Sequence, residues 1–80
     1  MQIIGRKAIV SRDEVRLFNS RWPCSGLRDT RSYWFEFDTD GNLIDTDCPE
    51  QDDGGAATAM AADCALYLFD GTTPEWAIVP

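Results

Sequence analysis

Two stretches of alternating apolar and polar residues form the clearest pattern in the chain. They cover residues 33–38 and 43–48, and Asp40-Gly41 lies between them. Alternation with a period of two residues is typical of a half-buried strand, and Asp-Gly is a preferred centre of a two-residue type I′ turn. The pattern therefore predicts a β-hairpin over residues 33–48.

The predicted type I′ turn sets the register of this hairpin and separates two faces. One face is expected to pack on the core and carries Tyr33, Phe35, Phe37, Ile44, Thr46 and Cys48. The other is expected to face outward and carries Trp34, Glu36, Asp38, Leu43, Asp45 and Asp47. In this register Phe37 faces Ile44 and Asp38 faces Leu43. Glu36 faces Asp45, a like-charged pair that costs stability in an isolated sheet. The compensating positive charge is expected either from arginines of the first helix and its following loop, which makes this a merely solvated face, or from a basic partner.

Two helices are predicted, one on each side of the hairpin. Ser11-Arg-Asp-Glu14 is a capping box, and the apolar residues Val15, Phe18 and Trp22 follow at helical spacing before Pro23. The pattern predicts an amphipathic helix over 12–22. Residues 56–69 are small and apolar almost all round, which predicts a second, largely covered helix. Asp52 or Asp53 is placed to cap its start, and Gly71 is placed to cap its end.

Short strands over 3–10 and 76–79 complete the predicted fold, although Gly5 and the pair Arg6-Lys7 weaken the pattern of the first strand. The result is an α+β domain in the order β-α-β-β-α-β, with an antiparallel sheet centred on the 33–48 hairpin and two helices packed on one face. At 80 residues the chain is expected to form a single domain, 1–80, with a modest core and no deep substrate cavity.

Charge is distributed unevenly along the chain. All seven bases and three of the acids lie at or before Arg31, which gives +4, whereas residues 32–80 hold eleven acids and no base, which gives −11. The total of −7 disfavours free nucleic acid and anionic membrane as partners and favours a basic protein. The opening residues lack the apolar core of a signal peptide, so a cytoplasmic location is expected.

The usual base of nucleophilic catalysis is absent from the sequence. There is no His to activate a nucleophile or to bind zinc, and the cysteines Cys24, Cys48 and Cys64 are odd in number and far apart. Cys24 lies between Arg21 and Arg28 and is either a reactive thiol or an ordinary loop cysteine. We expect no enzymatic activity, no cofactor and no metal in the protein's main role.

A calcium-binding alternative comes from residues 36–47, which can be laid on the twelve-residue EF-hand loop with Gly41 at its sixth position. The flanking residues have strand and turn chemistry rather than helix chemistry, and a hairpin explains the same residues.

The segments Phe18–Ser25 (FNSRWPCS) and Phe35–Asp47 (FEFDTDGNLIDTD), together with the short length and acidic balance, resemble small proteins of bacteriophages and prophages. The resemblance implies a stoichiometric inhibitor that binds and blocks host machinery, as anti-CRISPR proteins do. It assigns no residue a role.

The leading hypothesis is a non-enzymatic inhibitor or adaptor that binds a basic, nucleic-acid-handling host protein, with mimicry of nucleic acid as one way in which it would bind. The residues expected to bind this partner are Trp34, Glu36, Asp38, Leu43, Asp45, Asp47, Glu50, Asp52 and Asp53. A homo-oligomer that buries Trp34 and Leu43 in a symmetric contact, and a calcium-binding module, are the alternatives.

Overall fold

Strands and helices follow one another in the order ββαββα. The computed structural model describes residues 1–48 and 55–79. The elements are β1 (Gln2–Ile4), β2 (Lys7–Val10), α1 (Arg12–Arg21), β3 (Tyr33–Phe37), β4 (Leu43–Thr46), α2 (Ala56–Ala65) and a π-helical turn (Leu66–Asp70). The strands form one antiparallel sheet in the order β1-β2-β3-β4. The α+β class is confirmed, whereas the predicted order β-α-β-β-α-β is wrong.

The first difference lies in residues 3–10, which were expected to form one strand. They belong instead to a hairpin in which β1 and β2 are joined by Gly5 and Arg6. Gly5 has a φ of 61° and Arg6 does not have a positive φ, the combination found in a type II′ turn with glycine at its first central position. The glycine that weakened the strand pattern is thus the point at which the chain reverses.

The second difference lies at the C-terminal end, where residues 76–79 form no strand. The Ala77 N–H donates to the Pro74 carbonyl at 3.1 Å, which makes a turn. Trp76 is buried because its ring meets Phe18 edge-on, with centroids 5.7 Å apart, and its indole N–H donates to Asp63 at 2.9 Å. Its burial comes from packing on the helices rather than from the sheet.

The capping box at the start of α1 is confirmed. The Glu14 N–H donates to the Ser11 hydroxyl at 3.2 Å, and the Ser11 N–H donates to the Glu14 carboxylate at 2.9 Å. Val15 and Phe18 are fully buried, as the periodicity predicts. Trp22, expected on the same apolar face, is 43% exposed and stacks on Phe18 at the end of the helix.

The second helix is confirmed over most of its predicted length. It begins after Gly55 and changes into the π-helical turn at Leu66. Gly71 has a φ of 72°, and its N–H donates to the Leu66 carbonyl, so it caps the helix as predicted. The predicted caps Asp52 and Asp53 lie outside the described residues.

The turn between β3 and β4 differs from the predicted type I′ turn. The Gly41 N–H donates to the Asp38 carbonyl at 3.1 Å, and the Asp38 N–H donates to the Asn42 carbonyl at 2.9 Å. Gly41 has a φ of 85°, but Asp40 does not have the positive φ that a type I′ turn requires. The loop is a type I turn followed by a left-handed glycine, one residue longer than predicted.

The longer loop shifts the register of the hairpin near its tip. Glu36 lies opposite Asp45, as predicted, but Phe37 lies opposite Leu43 rather than Ile44. A β-bulge absorbs the extra residue, and Ile44 is 58% exposed. The predictions that Ile44 faces the core, and that Leu43 pairs with Asp38 on the outer face, are wrong.

One side of the sheet holds the core. Alternate residues of β2 and β3 are buried there with side chains from both helices: Ala8, Val10, Tyr33, Phe35 and Phe37 from the sheet, and Val15, Phe18, Met60 and Cys64 from the helices. The intervening strand residues are half-buried or exposed. The other side of the sheet is therefore the place to look for a binding surface.

Candidate partner-binding surface

The side of the sheet away from the core carries a row of side chains that crosses all strands. The pairs Ile4 with Lys7, Lys7 with Glu36, and Glu36 with Asp45 lie directly opposite one another. Directly opposite residues share a face of the sheet. A second row pairs Ile9 with Trp34. We call this surface the open face, and it consists of Ile4, Lys7, Ile9, Trp34, Glu36 and Asp45.

Sequence reasoning missed three residues of the open face, Ile4, Lys7 and Ile9, and Lys7 is the charged one among them. Its Nζ lies 4.3 Å from the centroid of the Trp34 ring, a cation–π contact worth about 0.5–1 kcal/mol at a surface site. The register also places Lys7 opposite Glu36. The sequence shows Lys7 as a basic residue in an otherwise apolar strand. Its contact with Trp34 follows only from the pairing of β2 with β3, which the sequence pattern does not predict.

The Asp47 carboxylate is engaged by hydrogen-bond donors of the protein itself. Its carboxylate accepts from the Arg31 guanidinium at 2.6 Å and from the Trp34 N–H at 2.8 Å. Arg31 in turn lies over the Tyr33 ring, 4.5 Å from its centroid. The sequence led us to expect that arginines of the first helix or its following loop would offset part of the acidic face, and Arg31 does so.

Asp38 also has a local role. Its carboxylate accepts the N–H groups of Asp40 and Asn42, both at 2.9 Å, and the Asn42 side-chain amide at 3.3 Å. The hydrogen bond from the Asn42 backbone lowers the pKa of Asp38, and Arg6 adds a smaller effect in the same direction. Asp38 is thus an ionised group that holds the hairpin turn together.

Asp45 is the carboxylate of the open face with the least compensation. It is exposed, and its carboxylate accepts the N–H of the neighbouring Thr46 at 2.9 Å. None of the ion pairs in the described part of the chain includes it. Glu36, directly opposite, is half-buried and has Lys7 on its other side.

The structure therefore brings only part of the predicted surface together. Trp34, Glu36 and Asp45 share the open face, Asp47 and Asp38 are held by local contacts, and Leu43 lies opposite Phe37 on the core side. Glu50, Asp52 and Asp53 lie outside the described residues.

A buried charged cluster that sequence reasoning did not identify lies at the other end of the sheet. The Met1 amino group donates to the Glu14 carboxylate at 2.5 Å and to the Ile78 carbonyl at 2.6 Å, and the Ile78 N–H donates to Glu14 at 2.7 Å. Both ionised groups are almost completely buried. Burial by itself raises the pKa of Glu14, but hydrogen bonds from the amino group and from Ser11 and Ile78 outweigh it, so the pKa is lowered.

An open depression of about 580 Å³ adjoins this cluster and is lined by Met1, Gln2, Ile9, Ser11, Asp13, Glu14 and Ile78. Within the part of the chain that the structure describes, no buried side-chain polar atom lacks a hydrogen-bond partner. The Glu14 carboxylate is therefore occupied by the protein's own donors, and its role is structural.

The chemistry of the remaining reactive groups is limited. Cys24 is exposed, whereas Cys48 and Cys64 are buried. Burial, followed by the nearby Asp63 and Glu14 charges, raises the pKa of the Cys64 thiol to about 12, so it stays protonated at neutral pH. Among residues 1–48 and 55–79, no group of three or more His, Cys, Asp or Glu side chains is arranged to hold a metal ion. The EF-hand-like residues 36–47 comprise the end of β3, the turn and the whole of β4, so two of the structural elements of this segment are strands rather than a coordinating loop between helices.

No known protein family, curated protein or solved structure matches this chain. No helix in the described ranges is long and apolar enough to cross a membrane.

Proposed function

We propose that this protein is a non-enzymatic inhibitor that binds a basic, nucleic-acid-handling bacterial protein through the open face of its sheet. The observation that carries the proposal is the pairing of Glu36 with Asp45, directly opposite each other on the side of the sheet away from the core. Like charges in this position destabilise a sheet by roughly 0.2–1 kcal/mol unless a positive group lies nearby.

The chain provides such a group on one side only. Lys7 lies opposite Glu36, but Asp45 is on the edge strand β4 and takes part in none of the described ion pairs. A Lys or Arg of a partner that binds beside Asp45 supplies the positive charge that this end of the row lacks. Charged contacts of this kind set the rate and specificity of association more than its affinity.

Apolar side chains at the two edges and in the middle of the sheet supply the surface that affinity requires. Ile4 on the edge strand β1 is 57% exposed, Ile44, which adjoins the open face beside Asp45 on the edge strand β4, is 58% exposed, and Trp34 is half-buried under Lys7. Protein interfaces combine a few apolar or aromatic anchors with a polar rim, and the open face has that composition. A merely solvated sheet face does not need these residues.

The proposed contact is local rather than a long copy of a nucleic-acid backbone. A DNA strand carries one charge about every 3.4 Å, whereas alternate residues of a strand are about 6.7 Å apart, and Arg31 already neutralises Asp47. Mimicry of nucleic acid is therefore proposed only for the adjacent carboxylates of Glu36 and Asp45. These two groups compete with nucleic acid for a basic site on the partner.

A capture experiment tests this proposal. The tagged protein is used to retain proteins from bacterial lysate at low and high salt, and mass spectrometry identifies them. We expect a basic nucleic-acid-binding protein that is retained at low salt and released at high salt, since screening weakens exposed charge contacts. Reversal of the acidic pair, Glu36→Lys with Asp45→Lys, is expected to abolish retention.

The matched control is Asp13→Lys with Glu75→Lys, which changes the net charge equally. These carboxylates are 74% and 75% exposed and belong to α1 and the C-terminal segment rather than to the sheet. Equal loss of retention in both double variants, with both folds intact, would show that total charge rather than the open face binds the partner.

A symmetric homo-oligomer is the second candidate, and the exposure of Ile4 and Ile44 favours it. Lys7 and Glu36 lie side by side, so two open faces related by a two-fold axis present complementary charges to each other. A mass measured by light scattering that rises with concentration, and that stays at the monomer value in an Ile4→Ser, Ile44→Ser variant, is the result this candidate requires.

A further inference from the structure

A separate apolar patch lies where the β3–β4 turn meets the π-helical turn. The Phe69 ring packs against Gly41, where a Cβ atom would lie 3.6 Å from it, and meets Phe37 edge-on with centroids 6.1 Å apart. Leu43 lies opposite Phe37 and therefore on the same side of the sheet. We call Gly41, Leu43 and Phe69 the tip patch.

The tip patch remains accessible although it adjoins the core. Leu43 is 44% exposed and Phe69 is 42% exposed, whereas Phe37 between them is buried. The β-bulge is responsible, because it turns Leu43 toward the Phe69 side, while Ile44, the next residue of β4, is also exposed.

Acidic groups border the tip patch. Asp40 precedes Gly41 and Asp70 follows Phe69, and both are exposed. Neither belongs to an ion pair within the described ranges. The Arg6 guanidinium, which donates to the Phe37 carbonyl at 3.1 Å, interacts with Asp38 rather than with these two acids.

Four of the other bases are engaged elsewhere. Arg16, Arg21 and Arg31 pair with acids of α1, the connection after it, the C-terminal segment and the residue that follows β4, and Lys7 lies on Trp34. Arg12 and Arg28, at the start of α1 and in the connection after it, belong to no ion pair within the described ranges. An apolar patch with a negative border is complementary to a segment that is apolar on one side and basic on the other. Two tip patches packed against each other are a poor arrangement, since Asp40 and Asp70 would meet carboxylates of the same sign.

We infer that the tip patch is the docking site for a cationic amphipathic segment of the partner. Its apolar side chains pack on Leu43 and Phe69, and its Lys or Arg residues lie near Asp40 and Asp70. The inference rests on the proposed function, because it assumes a basic partner and specifies the part of that partner that is recognised.

The test is a titration of the full ¹⁵N-labelled protein with a synthetic amphipathic peptide of Lys and Leu. Changes in the amide chemical shifts report where the peptide binds. A peptide of Glu and Leu with the same pattern serves as the charge control. We expect the Lys peptide to shift amides of residues 38–43 and 66–71 more than those of Trp34 and Glu36. The Glu peptide should shift neither group.

Two matched variants measure the apolar contribution. Leu43→Ser with Phe69→Ser is expected to weaken binding of the Lys peptide by roughly tenfold or more, as for a central interface residue. Leu17→Ser replaces a side chain of α1 that is 41% exposed and should leave binding unchanged. The dispersion of the amide spectrum reports the fold of each variant in the same experiment.

Two outcomes overturn the inference. If the shifts lie at Trp34, Glu36 and Asp45 and the tip variant binds as well as the unaltered protein, a basic partner is still recognised, but by the open face alone. If the Lys peptide shifts neither surface, the tip patch is not a docking site for such a segment. The capture experiment tests the proposed function independently, because it compares partner retention by the unaltered protein and by the Glu36→Lys, Asp45→Lys variant.

Discussion

At the scale of single residues, the Glu14 side chain joins three separate parts of the described chain. It completes the capping box of α1 with Ser11, accepts the Met1 amino group and accepts the Ile78 N–H. The chain thereby joins its first residue, its first helix and its C-terminal segment at one carboxylate. Removing one partner of a buried ion pair leaves the other charge without compensation, which is strongly destabilising.

Glu14→Gln is therefore expected to lower the free energy of unfolding by roughly 3–5 kcal/mol at neutral pH, a large part of the stability of so small a domain. Because the folded-state pKa of Glu14 lies below its ordinary value of 4.5, the contribution of the ionised group is complete above pH 4.5. It is lost as the pH falls through the lower folded-state pKa. The difference between the variant and the unaltered protein should therefore shrink in acid.

Urea unfolding followed by tryptophan fluorescence measures this difference at each pH. Asp13→Asn is the control, since it makes the same chemical change one residue earlier on α1, at a side chain that is 74% exposed. Its effect should stay below about 1 kcal/mol. Equal effects of the two substitutions would contradict the role given to Glu14.

At the scale of the elements, local signals predicted what local contacts determine. The capping box at Ser11, the glycine cap at Gly71 and the alternation from Tyr33 to Phe37 were all confirmed because each depends on residues close together in the sequence. The errors came from turns. Gly5 is the turn of a hairpin rather than a weak point in one strand, so residues 3–10 form two strands. The turn at Asp40-Gly41 has three residues rather than two, so Leu43 lies opposite Phe37.

The candidate surface shows the same limit. The alternation placed Trp34 and Glu36 on one face correctly, since alternate residues of a strand share a face, and Asp45 stays opposite Glu36 because the β-bulge offsets the extra loop residue. It did not place Leu43, because one extra loop residue moves a side chain to the other side of a sheet. The contact of Lys7 with Trp34 depends on which strands are neighbours, which no short-range pattern contains.

The bulge makes a specific prediction about Ile44. Ile44→Thr is expected to change the free energy of unfolding by no more than about 0.5 kcal/mol, because the side chain is 58% exposed. Val10→Thr introduces a hydroxyl at a fully buried strand position and is expected to cost roughly 1–3 kcal/mol. Urea unfolding compares the two. A cost at Ile44 similar to that at Val10 would mean that Ile44 faces the core, as a two-residue turn requires.

At the scale of the whole molecule, folding partly mixes the charges that the sequence keeps apart. Arg21 reaches Glu75 at 2.6 Å and Arg31 reaches Asp47 at 2.6 Å, so basic residues of the first part offset acids of the second. The acidic excess that remains on the sheet is concentrated near Asp45 rather than spread along the hairpin. The account therefore depends on a small surface and not on the net charge of −7.

The most direct test of this account uses the basic protein retained in the capture experiment. That protein is bound to a fluorescently labelled DNA, and the anisotropy of the DNA is followed as this chain is added. The account predicts that the unaltered chain and the Asp13→Lys, Glu75→Lys control release the DNA, whereas Glu36→Lys with Asp45→Lys does not. If the DNA stays bound, or if the Glu36 and Asp45 double variant releases it equally well, the open face is not an inhibitory surface.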